Sequence, residues 1–183
     1  MKTKLQHSAW LIIAASSLMA GTMISCSSEY DPNEKPEVCP PGSTPYITQV
    51  LDYMPAVGQL TNTMPEYEEG DNYQTMLRKA EDAIAGTNRS LISLGGWGGY
   101  VTFAFDHSVV NAPNLPDFTV EGNAFYASAG NKNGSSEPGI VMVSIDMNQN
   151  GLPDDPFYEL AGSEYTNPAT IHQYALTYHR TPA

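Results

Sequence analysis

The spacing of hydrophobic and polar positions changes several times along the chain, and each change marks an element. Tyr46 to Tyr53 (YITQVLDY) is dense in β-branched and aromatic residues and predicts the first strand, ended by Pro55 and Gly58. Residues 59–67 follow as a loop. From Asp71 to Gly86 the period lengthens. Met76, Leu77, Ala80, Ala83 and Ile84 recur at three- and four-residue spacing, which predicts one amphipathic helix packed on a sheet. Asp71 is the expected cap, Gln74 its capping-box partner and Gly86 the expected stop. Arg78, Lys79, Glu81 and Asp82 fall towards the other face.

Strand-like alternation then returns. Leu91–Leu94 is a short strand, and Val101, Phe103 and Phe105 alternate with Thr102 and Ala104 in another. Between them Gly95, Gly96, Gly98 and Gly99 surround Trp97. The spacing and the following helix of a dinucleotide-binding fingerprint are both missing. The glycines therefore predict a tight turn or bulge with close backbone approach. Trp97 at its tip is either a core plug or an exposed stacking platform for a ring-shaped ligand, with Tyr100 beside it. Asp117–Phe125 is a further strand with a bulge at Gly122, and Ser128–Ser136 an exposed loop. Ile140–Ile145 and Phe157–Ala161 flank a polar loop. Ile171–Tyr178 closes the series, with Tyr174, Leu176 and Tyr178 on one face. Many short strands, Gly and Pro turns and one helix predict a mostly β domain over residues 46–183, a β-sandwich or jelly roll.

The first 45 residues carry an address. Lys2 and Lys4, an apolar run from Ala9 to Ala20, and small residues after it read as an export signal over residues 1–25. The apolar run is too short for a membrane span. Met23-Ile24-Ser25-Cys26 resembles the lipobox of bacterial lipoproteins, with Met23 where Leu is usual. That likeness implies that Cys26 becomes the acylated first residue, carrying palmitate-type chains, each buried methylene contributing about 0.8 kcal/mol. The acidic stretch SSEYDPNEKPE behind it resembles the surface-export signal of outer-membrane lipoproteins. Residues 26–45 contain Pro32, Pro36, Pro40, Pro41 and Pro45 and predict a semi-extended tether. Cys39 lies in that tether either as a spare thiol or as one half of an intermolecular disulfide, and two cysteines exclude a framework of several disulfides.

Charge narrows the partners. The 183-residue chain has a formal net charge of -12, with 8 basic and 20 acidic residues. Loss of residues 1–25 removes Lys2 and Lys4 and no acid, which leaves -14. Such a surface repels nucleic acid and anionic lipid, because phosphate binding needs clustered Lys and Arg.

The sharpest chemical pattern is DMNQNGLPDD. Asp146, Asn148 and Asn150 stand at alternate positions, Gly151 permits a sharp turn, the Leu152 carbonyl can ligate, and Asp154 or Asp155 completes a shell. Calcium takes about 6–8 oxygens at flexible distances, and this is the opening of a calcium loop. Phe157 stands where an EF-hand has Glu, and strands rather than helices flank the loop, with Glu159 as a nearby substitute. The same residues also favour a bare turn without metal. Either way the role is structural. Asp154, Asp155 and Glu159 cluster around one turn, which does not suit the two separated carboxylates of a glycosidase. No GxSxG elbow, HExxH or paired-cysteine motif is present.

SLGGWGGYVTFAFDH, DFTVEGNAF and SSEPGIVMVSIDMNQNGLPDDPFYELAGSEY resemble, as a set, the conserved blocks of "cell surface protein" lipoproteins of Gram-negative gut anaerobes. The resemblance covers roughly residues 46–180. It implies a mostly β surface domain and no defined catalytic activity. Members of that family run on past the position of Ala183, so it also implies an N-terminal fragment whose sandwich lacks strands and exposes an edge. The expected function is a non-catalytic, lipid-anchored module at the outer-membrane surface that captures a glycan or another small nutrient beside an outer-membrane transporter, with Trp97 and Tyr100 as contacts. The alternatives are an adhesin-like module that binds protein and a corrinoid-binding lipoprotein.

Overall fold

A computed structural model describes residues 9–15, 19–20, 23–24, 42–88, 90–109, 116–128 and 130–179. These residues are mostly strands, with one helix. Strands β1 (Ala9–Ala15), β4 (Gln49–Met54), β6 (Gly99–Ala104), β10 (Gly139–Ile145) and β11 (Tyr158–Glu159) form a five-stranded antiparallel sheet in the order β11-β10-β1-β6-β4. Three two-stranded pairs join β2 (Met19–Ala20) to β5 (Leu91–Ile92), β3 (Met23–Ile24) to β7 (Thr119–Val120), and β8 (Phe125–Ser128) to β9 (Asn131–Ser135).

The apolar run read as an export leader thus takes the central place in the main sheet. Ala9 lies opposite Ile145 and Ala15 opposite Gly139 on one side, while Trp10 faces Ala104 and Ala15 faces Gly99 on the other. A short apolar run suits a buried strand as well as it suits a leader, because both need the same residue types.

Helix α1 (Tyr73–Ile84) packs against β4 and β5. The expected face is observed: Ala80 and Ile84 are buried, and Leu77 and Ala83 pack on the core. The cap is one residue later than expected. Asn72, not Asp71, accepts from the N–H groups of Gln74 and Thr75, and Thr75, not Gln74, closes the box by accepting from the Asn72 N–H. Asp71 is drawn off by Lys79 Nζ at 2.8 Å. Glu81 is not a purely solvent-facing residue, since its Oε2 accepts from the Val50 N–H at 2.8 Å. The register between β4 and β6 shifts between Val50 and Asp52, so the sheet leaves that donor without a strand partner and the helix supplies one. Around this joint Ile47, Val50, Tyr53, Ile84, Leu94, Val101, Phe103 and Phe105 form the core.

Four expectations about strands are corrected. The first strand begins at Gln49, with Tyr46 in an isolated bridge. The stretch 117–125 is not one strand: it contains Thr119–Val120 and, at its end, Phe125 as the start of β8, and Gly122 lies between the two. Residues 131–135 are a strand, not a loop: they pair with Phe125–Ser128, which supplies the hydrogen bonds that their Asn-Lys-Gly composition would not have sought alone. Residues 171–178 are not in a strand, although their alternation suits one. They pair with none of the described strands, and a strand without a partner is not stable.

Candidate functional site

The Gly-rich turn between β5 and β6 is fixed from below. Ser93 is fully buried: its N–H donates to the Met64 carbonyl at 2.7 Å, and its hydroxyl donates to the Gln59 carbonyl at 2.6 Å and accepts from the Gly95 N–H at 3.1 Å. The Tyr53 hydroxyl donates to the Ser93 carbonyl at 2.6 Å. Burial pushes the Tyr53 phenol far above its ordinary value, so it stays a donor. The Ala56 N–H donates to the Leu94 carbonyl at 3.0 Å. Only glycine fits here. Gly95 has φ +70 and a Cβ on it would strike the Ala56 carbonyl, while one on Gly99 would strike the Leu94 carbonyl. The expected tight turn with close backbone approach is what forms.

Trp97 stands on this turn with 51% of its surface exposed, so it is not a core plug. Its ring lies 5.2 Å from that of Tyr174 at 60°, and the Tyr178 hydroxyl donates to the Trp97 carbonyl at 2.9 Å. Tyr174 and Tyr178 were not singled out by sequence as site residues; nothing local links them to Trp97.

Tyr100 does not join Trp97. Its hydroxyl donates to Asp52 Oδ2 at 2.8 Å, and Tyr73 from the first turn of α1 donates to Asp52 Oδ1 at 2.8 Å. Burial first, and the Asp52 carboxylate second, push the Tyr100 phenol up to about 12, and the same two causes raise Tyr73. Tyr73 thus ties the helix to the edge strand β4, and Tyr100 ties β6 to the same carboxylate, so Tyr100 is not a free stacking ring.

The 146–155 loop is organised by its own side chains. Buried Asp146 accepts from the N–H groups of Asn150 at 3.1 Å and Gly151 at 3.0 Å. Asn148 Oδ1 accepts from Asn150 N at 3.0 Å and Asn150 Oδ1 from Leu152 N at 2.8 Å. Asp155 accepts from Met147 N at 3.0 Å, and Asp154 from the side-chain amide of Asn150 at 2.9 Å. The Asn148 and Asn150 bonds are successive Asx turns, and Asp146, Asp154 and Asp155 brace them. They gather Asp146, Asn148, Asn150, Leu152, Asp154 and Asp155 into one loop. Each side-chain oxygen keeps a second lone pair that a cation could use, although the Asn150 amide nitrogen faces Asp154. Among the described residues no group of three or more His, Cys, Asp or Glu side chains is placed to hold a metal.

Cys26 and Cys39 lie outside the described residues. His107 is buried, with Nδ1 2.7 Å from Asp106 Oδ1 and its ring against Phe105. Asp106 also accepts from the Thr44 N–H at 3.1 Å, which fixes the entry into the domain. A shallow groove beside α1, lined by Pro65, Lys79, Asp82, Ala83, Asn88 and Ser90, has no aromatic ring. No described helix is long and apolar enough to cross a membrane. Compared with protein-family models, with curated proteins and with solved structures, the chain finds no match.

Proposed function

We propose that the chain is an exported lipoprotein, acylated at Cys26 and held by the tether of residues 26–45 at the outer surface of the outer membrane. Its β-rich domain, a β-sandwich or jelly roll, captures a glycan or another scarce nutrient beside an outer-membrane transporter and catalyses no reaction. The observation that carries this reading is the half-exposed Trp97 ring on a turn locked by Ser93, Gly95 and Gly99. An indole held on a rigid turn stacks on the flat apolar face of a sugar without first losing conformational freedom. The strongly acidic charge argues against phosphate-rich ligands. A calcium ion in the 146–155 loop would add rigidity, with Asp146, Asn148, Asn150, Asp154 or Asp155 and the Leu152 carbonyl as its oxygens.

Two experiments test it. Growth with labelled palmitate should label the wild-type protein and not Cys26→Ala; an unlabelled wild type removes the lipoprotein reading. On a glycan array the processed protein should bind, and Trp97→Ala should not. Binding of a corrinoid instead would change the ligand class. A second reading, an adhesin-like module that binds protein, draws on the exposed rings of Phe125, Tyr126 and Tyr158. Capture of neither small-ligand class by a folded protein favours it.

A further inference from the structure

We propose that strand β1 is a place-holder: when the leader is removed, residues 171–178 of the same chain enter the slot between β6 and β10. The proposal rests on the reading above that the chain is processed at Cys26.

The slot follows from the topology. β1 pairs with β10 from Ala9–Ile145 to Ala15–Gly139 and with β6 from Trp10–Ala104 to Ala15–Gly99. Without it, two strands in the middle of a sheet lose a whole ladder of backbone partners at once. Val101 and Phe103 on one side, and Val141 and Val143 on the other, lose the strand with which both pair. An edge of this kind does not stay empty.

Residues 171–178 have the composition of the missing strand and no strand to belong to. Tyr174, Leu176 and Tyr178 alternate with Gln173, Ala175 and Thr177, yet the segment pairs as a strand with none of the described residues. Ile171 is 72% and Leu176 45% exposed, an unusual state for apolar side chains in strand alternation.

The segment is also at the right place and points the right way. Tyr178 donates to the Trp97 carbonyl and Tyr174 stacks on the Trp97 ring, two residues ahead of Gly99, where β6 begins. The C-terminal end of β1, Ala15, faces that same Gly99. The C-terminal end of residues 171–178 therefore lies at the mouth that the C-terminal end of β1 occupies. Entry in that sense is antiparallel to both β6 and β10.

One register satisfies the slot on both faces. With Tyr178 in the place of Ala15, its ring stands opposite Gly99 and Gly139, which have no side chains to displace it. Leu176 then takes the place of Ile13, between Val101 and Val141, and Tyr174 that of Leu11, between Phe103 and Val143. On the other face Gln173 takes the place of Trp10 beside Ser144. The Ser144 hydroxyl is buried at 1% exposure and has no hydrogen-bond partner among the described residues. A glutamine amide there supplies one, which removes the cost of an unmet buried polar group. The chain reaches. Residues 161–171 span about 36 Å when extended, against about 23 Å for a seven-residue strand. Exposed local turns, such as Tyr165 N–H to Gly162 O and Thr170 N–H to Asn167 O, have to open, together with the Tyr165–His172 ring contact and the Tyr178 hydrogen bond to Trp97. Entry also lifts Tyr174 off Trp97, so removal of the leader would bare the stacking face of the indole.

The test compares two forms of the full gene product: the wild type as its host processes it, and Cys26→Ala, which retains the leader. Intact mass reports the leader and hydrogen exchange reports residues 171–178. The amides of this segment should exchange at least about tenfold more slowly in the processed form than in the leader-bearing form. Leu176→Asp should abolish that difference and leave the leader-bearing form unchanged. A processed mass with equally fast exchange in both forms overturns the strand exchange alone. A wild-type mass that still includes residues 1–25 overturns the export reading, and the exchange with it.

Discussion

The backbone N–H of Val50 donates to the Glu81 carboxylate at 2.8 Å, so a helix side chain closes the one irregularity in the β4–β6 ladder. This contact makes the helix and the edge strand a single unit. A part-buried donor left without an acceptor costs its desolvation, and a bond to a charged acceptor is among the stronger ones. Glu81→Ala should lower the unfolding free energy by about 1–3 kcal/mol. Glu81→Gln, which keeps an oxygen in place, should lose less. Urea denaturation of the two variants beside the wild type checks the order.

Alkaline pH should loosen the same region. Tyr53, Tyr73 and Tyr100 all have phenols raised in the fold, by burial first and, for Tyr73 and Tyr100, by Asp52 as well. A group raised in the folded state gives stability that is complete below its unfolded value and is lost as pH climbs through the folded one. For tyrosine that window opens at about 10, and for Tyr100 it runs to about 12. The urea midpoint should therefore hold between pH 7 and 9 and fall above pH 10. Tyr100→Phe should flatten part of the fall. A midpoint that stays constant to pH 12 contradicts the assignment.

The polar loop separates two contributions. Asp146 accepts the backbone N–H groups of Asn150 and Gly151 without help from a cation. Asp146→Ala should thus cost about 1–3 kcal/mol even in EDTA, from the two donors it abandons. Bound calcium adds to this by mass action on the folded state. Calcium should raise the melting temperature of the wild type and leave that of Asp146→Ala unchanged. A wild type that melts at the same temperature in calcium and in EDTA reduces the loop to a turn.

Much of the scaffold was legible because local pattern and final packing agree. Met76, Leu77, Ala80, Ala83 and Ile84 specify a helix face that any sheet would accept, and Ile140–Ile145 is a strand in any context. The Gly-rich turn was legible for the same reason. Misses occur where a partner decides. Asp71 and Asn72 are both good caps, and the choice fell to Lys79, which binds Asp71 from about two turns away. Residues 131–135 become a strand only through their pairing with Phe125–Ser128. Tyr174 meets Trp97 through tertiary structure alone. Residues 9–15 and 171–178 both carry strand patterns, and among the described residues only 9–15 find a place in the main sheet.

The central claim concerns the indole. With processing at Cys26 as proposed, Trp10 would leave with residues 1–25 and Trp97 would be the sole tryptophan of the processed chain. Its emission reads ligand capture directly. Titration of the processed protein with a panel of soluble glycans should give a saturable change in Trp97 fluorescence for at least one of them, and calorimetry should show the same ligand failing to bind Trp97→Ala. A folded protein whose Trp97 emission responds to no glycan, and whose glycan binding survives Trp97→Ala, contradicts the account.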